Sequence, residues 1–162
     1  MSNYHEGRLF LESGDYKTAQ TCFQAGACLG DPRCLYGLLA VAAATGEPVT
    51  VHIDRLKMVI DCLLSMAEEK DPDACFIVGR CYETGSALEQ NIHAAMKYYT
   101  QAAGLGNVDA MYNLGCMYML FGDGGAKIAL DYFRQAADKG CREAKLAMNH
   151  YTQAVEMECK NG

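Results

Sequence analysis

Two stretches of this chain, thirty-six residues apart, are near copies: Asp73–Tyr82 reads DACFIVGRCY and Asp109–Tyr118 reads DAMYNLGCMY. A second pair follows them at an offset of 34 residues, AMKYYTQAA over Ala95–Ala103 and ALDYFRQAA over Ala129–Ala137. Apolar residues in all four recur three and four positions apart, which is the signature of a helix face. A period of this length made of two short helices cannot bury its apolar faces alone. Neighbouring units must therefore stack into a solenoid, and a solenoid generally serves as an extended binding surface.

Small residues that follow each second helix set the register. Cys34, Ala74, Ala110 and Ala144 each lie seven residues beyond Ala27, Ala67, Ala103 and Ala137. Four helix pairs result, with repeats at roughly 2–31, 32–71, 72–107 and 108–140. A capping helix is expected over 141–157, with fraying in the closing ECKNG. Gly14–Asp15, the TGEPVT segment, GSALEQN and GDGG are the breaks within the pairs. Pro32 opens the second pair, where a missing N–H costs nothing. Helix formers dominate and alternating β-branched runs are scarce, so the fold class is all-α.

In the fourth unit Ala110, Met111, Leu114, Gly115 and Tyr118 form one stripe, and Ala129, Tyr132, Phe133, Ala136 and Ala137 form its match. Ala and Gly allow close approach of two backbones, and Tyr118 is expected to fill the gap beside them. The second unit breaks the rule. It has Leu39 where the others have Gly7, Gly79 and Gly115, and Ala42 where the others have Phe10, Tyr82 and Tyr118. That unit is expected to pack at a wider spacing.

The pattern A-x-x-x-L-G-x-x-Y, then a loop, then A-x-x-aromatic-aromatic-x-x-A-A-x-x-G resembles the Sel-1-like repeat of the tetratricopeptide superfamily. Ala110–Tyr118 with Ala129–Gly140 matches best, and Ala74–Tyr82 with Ala95–Gly106 differs mainly at Val78. Gly7, Phe10, Ala19, Phe23, Ala27 and Gly30 resemble a shorter tetratricopeptide unit. The resemblance implies a right-handed α-solenoid of about four repeats, an adaptor or scaffold role and no catalytic residues. Some secreted members of the family staple their helices with paired cysteines; here cysteines do not recur in register, apart from partial coincidences such as Cys75 and Cys81.

First helices line the concave side in such stacks. Three residues before the key Gly or Leu39 stands an aromatic in every unit: Tyr4, Tyr36, Phe76 and Tyr112. With Arg8, Arg33 and Arg80 they form a candidate groove, since Tyr and Arg often carry binding energy. Such a groove suits a peptide with bulky apolar groups and one acidic group. The same aromatics also suit simple packing of the inner layer, and one Tyr can do both.

Other chemistry is poorly supported. The net charge of −6 argues against a nucleic-acid binder and is unhelpful on anionic lipid. The longest apolar run, Cys34–Ala44, falls short of the ~20 residues of a membrane span. No secretory signal is visible, so the nine cysteines are expected to be reduced thiols in a cytoplasmic protein. His5, His52, His93 and His150 fall in different units, and the six-residue Cys spacings place ligands on opposite helix sides, so neither a metal nor another cofactor is expected. GxSxG, HExxH and P-loop patterns are missing. The leading expectation is a non-catalytic scaffold binding a protein or peptide segment. The alternatives are a small-molecule or glycan-binding accessory to an enzyme, or a homo-oligomeric assembly module.

Overall fold

The computed structural model describes residues 2–46, 53–120 and 125–161. These form nine helices and no strand: α1 (Asn3–Ser13), α2 (Tyr16–Cys28), α3 (Pro32–Thr45), α4 (Ile53–Glu68), α5 (Pro72–Thr84), α6 (Ile92–Gly104), α7 (Val108–Leu120), α8 (Gly125–Asp138) and α9 (Arg142–Asn161). Most of the expected TGEPVT and GDGG breaks, Glu47–Thr50 and Gly122–Gly124, lie outside the described residues. The terminal helix α9 extends to Asn161, past the expected limit at Met157. Neither Gly nor Pro interrupts that run before Gly162, so the sequence supplies no stop signal there.

Polar side chains cap the helix starts. Asp15, Asp31, Asp71 and Asn91 accept backbone N–H bonds from Thr18, Arg33, Ala74 and Ala94 at 2.8–3.1 Å. Asn107 does the same for Ala110 at 2.9 Å. The loops between units need a left-handed residue, and Gly30, Gly106 and Gly140 supply it; Lys70 takes that conformation (φ 65°) in the second unit without the benefit of a missing side chain.

Each helix packs on the next, and first helices also meet their neighbours, α1 on α3 and α3 on α5. The stack is therefore an α-solenoid. Its core is a row of large second-helix side chains, Phe23, Leu63, Tyr99 and Phe133, each no more than 4% exposed. Three of them sit on a glycine of their own first helix. A methyl group on Gly7, Gly79 or Gly115 would come within 2.5–2.8 Å of the ring of Phe23, Tyr99 or Phe133. Gly37 of α3 presses on Phe23 from the following unit in the same way.

Phe133, rather than Tyr118, thus fills the space beside Gly115. Tyr118 lies at the edge of the stripe, half-buried, and stacks on Tyr132 with ring centres 5.8 Å apart. Tyr82 and Tyr98 repeat this pair at 5.7 Å one unit earlier.

The second unit is indeed wider. Leu39 occupies the register position of the missing glycine, and α3 meets α4 over far less surface than the two helices of any other unit share. A leucine side chain there cannot let the backbones approach as glycine does.

Candidate binding groove

The concave side holds a cavity of about 700 Å³. Among the described residues its lining comes from α1, α5, α7, Cys141 and the start of α9. Arg8, Phe76, Arg80 and Tyr112 of the expected groove belong to it, and Glu12, Glu83, Asp109 and Asn113 join them. Tyr36 and Arg80 also line a neighbouring crevice of about 350 Å³ between α3, α4 and α5.

The aromatic ladder is seated deeper than its groove position suggests. Tyr4 is 3% exposed and lies with its ring centre 6.2 Å from that of Phe23. Phe76 is 7% exposed and packs on Tyr99, and Tyr112, half-buried, packs on Phe133. Tyr4, Phe76 and Tyr112 thus each rest on the large second-helix ring beneath them. Burial pushes the hydroxyls of Tyr4, Tyr36 and Tyr99 above the usual phenol range, with Glu83 adding to the effect at Tyr99. Tyr99 donates to Glu83 at 2.6 Å, which ties the groove wall to the core.

The arginines have three different fates. Arg33 is spent on the scaffold: it donates twice to Asp31 at 3.0 Å, once to Asp71 at 3.2 Å, and covers the Tyr4 ring with its guanidinium 5.4 Å from the ring centre. It thereby clips the cap of α3 to the cap of α5. Arg8 pairs with Glu12 one turn on and, across the groove, with Asp109 of α7. Burial alone would pull the Arg8 guanidinium down, but Asp109, Tyr4 and Glu12 together outweigh it and hold its pKa above the ordinary value. Arg80 is exposed and has no carboxylate within 4.0 Å among the described residues.

Several polar residues of the groove were not singled out by the sequence reading. Asp73, 7% exposed, accepts from Asn107 at 3.0 Å and faces His5 at 3.5 Å and Arg33 at 3.8 Å. One side chain of unit three therefore links units one and two to Asn107, the residue that caps α7. The signal was present in the register: Arg33, Asp73, Asp109 and Glu143 occupy one repeat position, each just before the small residue that sets the alignment.

The eight described cysteines are free. Burial, assisted by Asp31, pushes the Cys34 thiol up to about 11, and burial pushes Cys81 up to about 11 as well. Burial and Asp71 raise Cys75. Fewer thiolates mean slower attack on a disulfide reagent. Native protein treated with such a reagent at mildly alkaline pH should therefore be modified first at exposed Cys28 and Cys62, with Cys34, Cys75 and Cys81 protected until it unfolds. Mass spectrometry of the modified sites checks this; Cys81 reacting as fast as Cys28 would contradict it.

The Sel1 repeat family profile matches residues 2–31, 72–107 and 108–141, together more than half of the chain. The chain belongs to the Sel1 repeat family. The unmatched stretch between the first two segments is the unit with Leu39. A Sel1 repeat protein from Oxalobacter formigenes has the same fold, with a TM-score of 0.55 and 23% identity over 89% of this chain and 57% of that one. So does c5321, a protective antigen of uropathogenic Escherichia coli, with a TM-score of 0.57 and 24% identity over 88% of this chain and 31% of the other. A Schizosaccharomyces pombe protein provisionally named an ERAD-associated E3 ubiquitin-protein ligase component is 27% identical over 106 residues. That alignment spans 62% of this chain and only 15% of the yeast protein. Among the described residues of this Sel1 repeat chain, no helix is long and apolar enough to cross a membrane.

Proposed function

We propose that this Sel1 repeat protein is a non-catalytic adaptor that takes a peptide or protein segment in its concave groove. The observation that carries the reading is the cavity built by α1, α5, α7 and α9: first helices and the cap region supply its lining among the described residues. Sel1 repeats generally mediate protein–protein interactions. The name of the yeast relative, a component of a ligase assembly, agrees with such a role. A cytoplasmic setting suits the free thiols.

The groove works by preorganisation. Tyr112 and Phe76 rest on rigid core rings, and Arg8 is held by Asp109 and Glu12, so ordering these anchors on binding costs little entropy. The lining is spread over several first helices and the cap, which suits a segment better than a compact small molecule or glycan.

Affinity capture from native lysate with wild type beside a Tyr36→Ala/Arg80→Ala double variant tests this. Partners held by wild type should be lost from the variant while its helical circular dichroism is retained. A folded double variant that retains every partner would overturn the reading.

A further inference from the structure

The second unit contains a crevice that the regular units close. In units one, three and four a glycine lets a large second-helix ring fill the space between the two helices. Leu39 prevents that approach in unit two, and α3 and α4 splay. The result is a crevice of about 350 Å³ walled chiefly by Leu39, Ala43, Leu56, Val59 and Ile60. Apolar walls of this kind are poorly served by water and gain from an apolar occupant.

One rim of the crevice is Arg80, which together with Thr84 also lines the large groove. The crevice and the groove therefore adjoin at a guanidinium. Arg8 and Arg33 already have carboxylate partners, and Arg80 has none within 4.0 Å among the described residues. Elsewhere acidic groups outnumber basic ones in the groove: Glu12, Glu83, Asp109 and Glu143 line it against Arg8, which Glu12 and Asp109 already pair. A carboxylate on an incoming segment is thus welcome at Arg80 and repelled along the rest of the groove, which fixes the register of the segment.

We propose that the crevice between α3, α4 and α5 takes one bulky apolar side chain of a bound peptide, whose neighbouring carboxylate pairs with Arg80. This rests on the peptide-groove reading above and adds to it the chemistry of the partner. The carboxylate can be an Asp or Glu side chain or a free C-terminus. A planar guanidinium binds either in a bidentate manner. A peptide is favoured over a lone fatty acid because the crevice adjoins, at Arg80 and Thr84, a groove of about 700 Å³ that an acyl chain would leave empty.

Two random short-peptide libraries distinguish the sources, one with free C-termini and one amidated. Selection on the intact chain should enrich Leu, Ile, Met or Phe next to a carboxylate. Enrichment only in the free library assigns the C-terminus, and enrichment in both assigns an acidic side chain. The selected peptides are then titrated by fluorescence anisotropy against wild type, Ala43→Phe, Arg80→Gln and Arg80→Lys. Ala43 and Arg80 are exposed, so these variants should fold. Filling the crevice with Ala43→Phe, or removing the charge with Arg80→Gln, should weaken binding about tenfold or more, and Arg80→Lys should weaken it less.

Peptides that bind wild type and a folded Ala43→Phe variant equally would overturn the crevice assignment while leaving the groove reading standing. If Ala43→Phe does not fold, unchanged binding by Arg80→Gln overturns the assignment in its place. Failure of folded wild type to enrich any peptide would overturn both. So would lauric acid binding in the crevice with no peptide bound.

Discussion

Phe23→Ala should lower the unfolding free energy by roughly 3–5 kcal/mol, the usual cost of emptying an aromatic site in a core that cannot fully collapse. Phe23 is completely buried and lies between two helices that have no side chain of their own at the contact. A methyl group on either Gly7 or Gly37 would be 2.5 Å from its ring. Neither α1 nor α3 can extend an atom into the void, and Tyr4, which packs on Phe23 from the groove side, loses its support. The loss falls on the contact within the first unit and also on the contact between the first and second units. In a stacked array each such contact carries a share of the whole stability. Urea unfolding followed by circular dichroism measures it, with Phe23→Leu as the smaller, volume-sparing change. A shift below about 1 kcal/mol for Phe23→Ala would mean that the glycine helices close around the gap.

Asp73→Ala should cost about 1–3 kcal/mol, the penalty for leaving buried polar partners unsatisfied. The Asn107 amide that donates to Asp73 is itself 8% exposed, so water cannot readily replace the lost acceptor. Arg33 and His5 lose a carboxylate at the same time. The same deletion at Asp131, whose pair with Arg134 is exposed on both sides, should cost no more than about 1 kcal/mol and serves as the control. Asp73→Asn should fall between the two, since it retains an acceptor and loses the charge. Thermal melts of the three variants are decisive: equal losses at Asp73 and Asp131 would show that the buried network contributes no more than a surface pair. Asp73 also lines a small cavity of about 330 Å³ beside Arg8 and Asp109. Its loss should therefore loosen the rim of the groove.

Much of this architecture was legible in the residues. The repeat register placed Pro32 at the opening of the second pair, where α3 starts, and Gly14–Asp15 at the break between α1 and α2, because capping residues and glycines mark helix ends locally. Leu39 announced the wider second unit, because a glycine-sized contact cannot hold a leucine. The roles of the groove residues were harder to separate. Tyr4, Tyr36, Phe76 and Tyr112 share a face by periodicity, but their depth depends on what lies under them, and Phe23, Tyr99 and Phe133 come from other helices. The exchange of Phe133 for Tyr118 beside Gly115 has the same origin.

Helical period, caps and the glycine-to-aromatic spacing act within a few turns of chain, so the order of the helices among the described residues and their stacking were determined by the sequence alone. Which arginine is free was decided by the tertiary structure. Arg8, Arg33 and Arg80 look alike along the chain, yet the curvature of the stack brings Asp109 to Arg8 and Asp71 to Arg33 and leaves Arg80 facing the groove without a carboxylate partner among the described residues. Charges separated by dozens of residues meet only when the superhelix closes, and Coulomb attraction is felt at that contact distance rather than along the sequence.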